Sequence, residues 1–196
     1  MRFFKIVLFA TLLISNPLLA DEFSDKTVVN DPLLLKQAQA LPNSGTIKIE
    51  KNNYVYLHVT DNFKLELFPI LYKNLPNIDK NCLTPNNNPI GSHISLFFPG
   101  KLSNEQLKQF TANQLFHFKV VKILRVTTAT PTTDQGILHT QWYLVEIESP
   151  TLLALMKKVD PEGKFYRLPL HISIAVAKFY QQNQCACMCD ALHISP

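Results

Sequence analysis

The sequence predicts an α+β fold. From Gly91 onward the segments follow the order strand, helix, strand, strand, helix, strand, and several neighbouring strands are joined by hairpin-like connections. The composition is that of one ordinary globular domain, with 46% hydrophobic and 17% charged residues in 196. The two strand–helix–strand stretches look like halves of one fold. This composition excludes collagen, a coiled coil and bulk disorder.

The first 20 residues have the features of a secretory signal peptide. Arg2 and Lys5 precede an apolar run over residues 6–14, and Ala20 stands just before the first acidic residues. The apolar run is too short to span a membrane core of about 30 Å. We therefore expect cleavage after Ala20 and an exported protein, periplasmic or secreted, with no stable membrane insertion. A buried first helix is the alternative interpretation.

The charge balance argues against one class of partner. The formal net charge is +4, and loss of Arg2 and Lys5 with the signal peptide leaves +2. A protein that coats a nucleic-acid duplex needs a strongly basic surface, whereas a small phosphate-bearing ligand needs only a few local groups. Function must then come from specific residues.

The segments that follow the signal peptide are less regular. Residues 21–53 predict an irregular N-terminal segment with a short amphipathic piece at 33–40. Aromatic and β-branched residues predict strands at 54–60 and 64–69. Residues 75–89 are rich in Asn and Pro, which predicts a loop.

The second part of the chain carries clearer signals. A strand is predicted at 91–99, and a capping box that begins at Ser103 opens a helix to about residue 115. Alternating apolar residues predict a strand at 116–127, a turn-rich tip at 128–136 and a strand at 140–148.

The last elements close the predicted domain. Ser149 and Pro150 have the residue types of an N-cap and a first helical position, which predicts a helix to about Val159. A final strand is expected at 168–179. The predicted domain covers residues 54–180, and a Cys-rich tail covers 181–196.

All four cysteines lie after the signal peptide, at Cys82, Cys185, Cys187 and Cys189. An even number of cysteines in an exported chain favours disulfide bonds, and a bond between Cys82 and the tail would tie the C-terminus to the domain. A thiolate metal site is the alternative, although the tail lacks the two-residue gaps of zinc knuckles.

Four of the six histidines begin a His-x-Ser/Thr triplet. These triplets start at His58, His93, His171 and His193. A triplet this short also arises by chance, so its context matters. We expect His58 to be a chance match because no partner strand with its own triplet accompanies it, and His193 lies close to the C-terminus.

His93 and His171 have the informative context, because each sits in an apolar segment of strong β propensity. Residues i and i+2 of a strand share one face, so each histidine should point the same way as its serine, Ser95 or Ser173. Two imidazoles supply a general base and a general acid near neutral pH, and two hydroxyls can donate to phosphoryl oxygens. This set suits cleavage of a phosphodiester without a metal.

The paired motifs resemble those of the two-histidine phosphoesterase superfamily, which includes 2′-5′ RNA ligase-like proteins and cyclic phosphodiesterases. The resemblance rests on Gly-Ser-His-Ile-Ser-Leu at 91–96, on Leu-Pro-Leu-His-Ile-Ser-Ile at 168–174, and on the strand-to-helix step at 143–150. It covers residues from about 54 to 179. It implies a bilobal fold with pseudo-twofold symmetry, in which the two motif strands line a central cleft.

The resemblance also implies residue roles and an activity. His93 and His171 would be the catalytic acid and base, and Ser95 and Ser173 would bind phosphate. The implied reaction is hydrolysis of 2′,3′-cyclic phosphates or 2′-5′ or 3′-5′ RNA-derived phosphodiesters, with neither metal nor other cofactor. The family's commonest pattern has Thr at the hydroxyl positions, where this chain has Ser, and the predicted export signal argues against intracellular RNA-processing substrates.

Three residues are candidates for further substrate contacts. Phe97 follows His93 by four positions and could stack on a base, while Tyr166 and Arg167 precede the second motif and could contact base and phosphate. Ordinary core or rim positions are the alternative for all three.

The leading prediction is an exported phosphoesterase that works as a monomer on a nucleotide or short RNA-derived substrate. A non-catalytic module of the same fold that binds a nucleotide or a protein is the alternative, and a metal-binding protein that uses the tail is a third. The sequence leaves open which histidine is the acid and which the base.

Overall fold

The computed structural model describes residues 25–75, 82–132, 136–166, 169–180 and 184–185. Within them ten strands form one antiparallel sheet. The strands are β1 (Asp25–Val28), β2 (Ser44–Ile49), β3 (Val55–Val59), β4 (Leu83–Pro85), β5 (His93–Phe97), β6 (Leu115–His117), β7 (Lys119–Thr132), β8 (Gly136–Glu148), β9 (His171–Tyr180) and β10 (Gln184–Cys185). The helices are α1 (Pro32–Ala40), α2 (Asn62–Leu65), α3 (Leu67–Asn74), α4 (Asn104–Leu107) and α5 (Pro150–Val159).

The sheet places β5 and β9 side by side at its centre. Its order is β1-β7-β8-β9-β5-β3-β2-β6, and β4 and β10 also pair with β9. Strands β3, β2 and β6 lie on one side of the β5–β9 pair, and β8, β7 and β1 lie on the other. The predicted fold class is confirmed at this level, because the protein combines a large antiparallel sheet with several helices.

The main core lies on one face of the sheet, where the helices pack. Ile94 and Ile172 are fully buried there, together with helix residues such as Phe63 and Leu152. Residues alternate between the two faces of a strand, so the neighbours of these isoleucines project to the opposite face. The histidine and serine side chains of the two His-x-Ser motifs therefore lie on the face away from the main core.

Local sequence signals correctly predict where two of the helices begin. Ser103 and Gln106 form both bonds of the predicted capping box at α4. Pro150 stands at the start of α5 as expected, although the Ser149 hydroxyl donates to the carbonyl of His117 (2.6 Å) and does not cap the helix. The helix predicted to reach residue 115 ends after one turn, at Leu107.

The prediction of an irregular segment at 21–53 is wrong. This stretch contains β1, α1 and β2, and β2 pairs along its length with β3. Ile47 and Leu34 are fully buried in the main core, so the domain includes residues well before 54. The short strands have few apolar residues of their own, and their structure depends on pairing with strands that are distant in sequence.

The strand predicted at 64–69 is also wrong, because α2 and α3 occupy this region. Phe63, Leu67 and Leu71 recur every four residues and all three are buried, which is a helical pattern. The predicted loop at 75–89 contains β4, and the hairpin strands β7 and β8 extend into the predicted tip at 128–136.

The predicted signal peptide and most of the Cys-rich tail lie outside the described residues. In the described part, Cys82 precedes β4, and both β4 and β10 pair with the same edge of β9, where Leu83 is opposite Ala177 and Cys185 is opposite Phe179. Cys82 is not a free thiol. The structure does not describe the side chains of the tail cysteines, so the disulfide bond between Cys82 and the tail stays a prediction. None of the described helices is long and apolar enough to cross a membrane.

Candidate active site

The two His-x-Ser motifs meet on adjacent antiparallel strands. Ile94 of β5 pairs with Ile172 of β9. On this register His93 falls opposite Ser173 and His171 falls opposite Ser95. All four polar side chains are partly exposed, whereas both isoleucines are 0% exposed on the core side. The structure thus brings the two imidazoles and two hydroxyls together on one face of the sheet.

Both imidazole rings are held by the same kind of hydrogen bond, to the backbone carbonyl two residues earlier in the chain. Nδ1 of His93 donates to the carbonyl of Gly91, and Nδ1 of His171 donates to the carbonyl of Pro169, each at 2.9 Å. A carbonyl oxygen only accepts, so the proton of the neutral imidazole is on Nδ1. Nε2 of each ring is then the basic nitrogen, and it becomes an acid when protonated.

The turn before His93 depends on Gly91 and Asp61. Gly91 has φ +78°, and a Cβ there would lie 2.9 Å from a carboxylate oxygen of Asp61. That carboxylate accepts from the backbone N–H of Ser92 (2.7 Å), and this bond lowers the pKa of Asp61. The peptide unit whose carbonyl orients His93 is thereby anchored to Asp61, at the start of α2.

Each motif strand contains a β-bulge directly after its serine. Leu96 is the extra residue in β5, where Tyr56 pairs with Ser95 and Val55 pairs with Phe97. Ile174 is the extra residue in β9. A bulge changes which face the following residues occupy.

The bulge in β5 explains why the stacking role predicted for Phe97 is wrong. Simple alternation would place Phe97 beside His93, but the extra residue turns it into the main core. Phe97 is 0% exposed there and contacts the rings of Phe110 and Tyr166. A fully buried ring cannot stack on a substrate base.

A row of aromatic rings borders His93 instead. The rings of Tyr54 and Tyr56 lie edge-on to the imidazole at centroid distances of 6.1 and 5.5 Å, and Phe98 stacks on Tyr54 at 6.2 Å. The hydroxyl of Tyr54 is hydrogen-bonded to Oγ of Ser95 (2.6 Å). Burial raises the pKa of Tyr56 to about 12, so its hydroxyl stays protonated and donates to Glu50 (2.8 Å).

His58, expected to be a chance match, lies directly opposite His93 on β3. Val55, Leu57 and Val59 face the core, and alternation therefore places His58 on the same face as the motif residues. The alternation of side-chain direction along residues 54–60 is a local property, and it is enough to predict which face His58 occupies. The pairing of β3 with β5 is a tertiary contact, and no local signal reveals it.

His171 has charged neighbours that His93 lacks. Glu146 of β8 lies opposite His171, and its carboxylate is 3.4 Å from Nζ of Lys122 on β7. Glu146 is only 15% exposed at its side chain, so solvent screens it weakly. Lys26 of β1 is a further positive charge that acts on His171.

Burial lowers the pKa of both histidines. For His93, the bond to Gly91 opposes this effect and the charges of His171 and His58 add to it. For His171, the bond to Pro169 and the carboxylate of Glu146 oppose it, while Lys26 adds to it. Both rings are therefore biased towards the neutral form, but the residues around them act with different signs.

Two pockets flank the motif residues. A pocket of about 460 Å³ lies beside Tyr54, between the β2–β3 turn and the loop that leads to β5, and includes Asn52 and Asn88. A second pocket of about 410 Å³ lies on the His171 side, where Glu146, Glu148, Leu153 and Pro169 line it.

The other residues that the sequence suggests for the site lie in the core or outside the described residues. Tyr166 is half-buried and packs edge-on against Phe97, so it belongs at least partly to the core. Arg167 and His193 lie outside the described residues. Within the described part of the chain, no group of three or more His, Cys, Asp or Glu residues is arranged to hold a metal ion.

Comparison of this chain with protein-family models, with curated proteins and with solved structures finds no match.

Proposed function

We propose that this protein is a phosphodiesterase that hydrolyses 2′,3′-cyclic phosphates or related RNA-derived phosphodiesters by histidine acid–base catalysis. One observation carries the proposal. Two His-x-Ser strands pair about Ile94 and Ile172, and each histidine is held through Nδ1 so that Nε2 is its reactive nitrogen. The resemblance to two-histidine phosphoesterases and their bilobal fold with pseudo-twofold symmetry remains part of this proposal.

The two imidazoles have complementary tasks in this reaction. Nε2 of one neutral histidine takes a proton from water as the water oxygen attacks phosphorus. Nε2–H of the other, protonated histidine gives its proton to the ribose oxygen as the P–O bond of the ring breaks. The product is a nucleoside monophosphate, and the two histidines have exchanged protonation states. Each proton transfer contributes roughly 10²–10⁴ in rate.

The serines serve the phosphoryl group. Negative charge builds on the non-bridging oxygens as phosphorus becomes five-coordinate, and hydroxyl donors aimed at those oxygens stabilise it. Ser95 and Ser173 lie diagonally across the β5–β9 pair, one beside each histidine. All four groups belong to the chain itself, so the proposed mechanism uses no metal.

The test is turnover of a panel of 2′,3′-cyclic nucleotides and of 2′-5′ and 3′-5′ oligonucleotides in EDTA. The full chain is expressed with its N-terminal segment, so that any export and cleavage occur, and purified under oxidising conditions. We expect a monophosphate product to form in the presence of EDTA. The rate of its formation should fall by about 10²–10⁴-fold in His93→Ala and in His171→Ala. Asparagine variants at both positions guard against a folding defect.

His117→Asn is the matched control, because His117 is an exposed histidine on β6, a strand that pairs with β2 and not with β5 or β9. Its activity should equal that of the wild type. Absence of turnover on the whole panel by a folded protein would contradict the proposal and favour a non-catalytic module that binds a nucleotide or a protein.

A further inference from the structure

The pocket beside Tyr54 has the chemistry of a nucleobase subsite. Its walls are Glu50, Lys51, Asn52 and Tyr54 from the β2–β3 turn, and Asn88 and Ile90 from the loop before β5. This combination offers an aromatic ring, an aliphatic side chain and several hydrogen-bonding groups. A flat heterocycle that carries both donors and acceptors fits such a lining.

Each of the two walls of the pocket leads to the proposed phosphate site. Tyr54 belongs to its wall, and the hydroxyl of the same residue is hydrogen-bonded to Ser95 (2.6 Å). Ile90 immediately precedes Gly91, whose carbonyl orients His93. A nucleotide whose phosphate lies at His93 and Ser95 has its base within reach of this pocket.

The walls are already held in place by the fold. Glu50 and Tyr54 close the β2–β3 turn through a backbone bond (2.9 Å), and Asn53 adopts a positive φ of 67° within it. The backbone N–H of Gly91 donates to the carbonyl of Asn88 (3.0 Å) in the other wall. A preformed subsite loses little conformational entropy when it binds a ligand.

The two asparagines determine which bases fit. Oδ1 of Asn52 accepts from the backbone N–H of Tyr54 (3.1 Å), and Oδ1 of Asn88 accepts from that of Ile90 (3.2 Å). With their oxygens engaged, both side chains offer their Nδ2 amides as donors. Lys51 adds a further donor, and Glu50 accepts. Donors thus outnumber acceptors in the pocket.

From this polarity we infer that the pocket binds the keto bases uracil and guanine, whose carbonyl oxygens accept from the asparagine amides and whose ring N–H can donate to Glu50. This inference rests on the proposed function for the position of the phosphate. Adenine, and to a lesser degree cytosine, presents an amino group where these amides need an acceptor. The expected preference is about tenfold in kcat/KM. It is expressed mainly in KM, because the base makes the same contacts in the ground state as in the transition state.

The experiment compares the four 2′,3′-cyclic nucleotides with a 2′,3′-cyclic ribose phosphate that lacks a base. Binding of the four nucleoside 3′-monophosphates is measured in parallel by calorimetry. Asn52→Asp and Asn88→Asp are the decisive variants, because the aspartate keeps an oxygen for the backbone N–H and replaces the donor amide by an acceptor. We expect these variants to lose the keto preference and to favour adenine and cytosine.

Asn104→Asp is the matched control, since it adds the same charge to α4, a helix outside the pocket lining whose Gln106 donates to the carbonyl of Val159 at the end of α5. It should keep the wild-type preference. Turnover that is equal for all bases and for the base-free substrate would overturn the inference and leave the proposed function intact. Keto-selective binding without turnover would support the subsite while contradicting the proposed reaction.

Discussion

The two motif strands are alike in sequence and in hydrogen bonding but differ in what surrounds them. His93 lies among Tyr54, Tyr56 and His58 on the β3 side, whereas His171 lies beside the Glu146–Lys122 ion pair on the β8 side. A carboxylate favours a protonated imidazole, and a neighbouring cation disfavours it. We therefore expect His93 to be the base and His171 the acid, which the sequence leaves open.

Substitution of the two serines is expected to give the largest effect of the different surroundings of β5 and β9. Removal of one donor to a developing oxyanion costs about 10²–10³ in kcat. Ser173→Ala should show this full loss, because its neighbour on β8 is the apolar Leu144. Ser95→Ala should lose less, because the hydroxyl of Tyr54 lies 2.6 Å from Ser95 Oγ and can donate in its place. Single-turnover rates check the order, and equal losses would show that Tyr54 does not substitute.

Glu146→Gln tests the acid assignment through the pH profile. The carboxylate of Glu146 raises the pKa of His171 against the larger effect of burial, so its removal should lower that pKa further. If His171 is the acid, the alkaline limb of kcat/KM moves to lower pH and the acid limb stays in place. Lys122→Gln removes the partner of Glu146 and should move the same limb the opposite way. A shift of the acid limb in Glu146→Gln would reverse the assignment.

His58→Asn tests the base assignment, with a smaller expected effect. The charge of His58 lowers the pKa of His93, so its removal should raise that pKa and move the acid limb of the profile to higher pH. His171 contributes a similar interaction that this variant leaves in place. His139→Asn, in which the lost ring stacks on Phe179 away from the motif residues, serves as the control. A movement of the alkaline limb alone would argue against His93 as the base.

The smallest expected effect is on stability in acid. Burial lowers the pKa of both histidines in the folded protein, so below about pH 6.5 the unfolded chain binds more protons. Stability should therefore fall as the pH is lowered from 7 towards 5. Denaturant unfolding across this range should show a shallower fall for His93→Asn and for His171→Asn. A slope identical to that of the wild type in both variants would contradict the pKa directions.

Three residues owe their surroundings to strand pairing. Simple alternation puts Phe97 on the wrong face, because the bulge at Leu96 depends on the pairing of β5 with β3. His58 resembles a chance match in the sequence, because its partner, His93, is 35 positions away. Glu146 carried no motif at all. Strand register and bulges set the position of each of these residues, and local patterns do not encode them.

Local chemistry did predict other features of the protein. The strand character around His93 and His171, the shared face of each histidine with its serine, and the starts of α4 and α5 follow from propensity, side-chain period and capping within a few residues. The alternation of faces along a strand is a property of the backbone, so it can be derived before any tertiary contact is known.

The sequence by itself therefore determines which groups are available: two strands that each present an imidazole and a hydroxyl on one side and an isoleucine on the other. Long-range pairing decides what they become. The Ile94–Ile172 register brings the four groups together, the bulge in β5 directs Phe97 inward, and β3 and β8 give the two histidines different neighbours. The physical reason is that side-chain direction is a local property of the chain, whereas the identity of a cross-strand neighbour depends on how distant apolar faces pack into a common core.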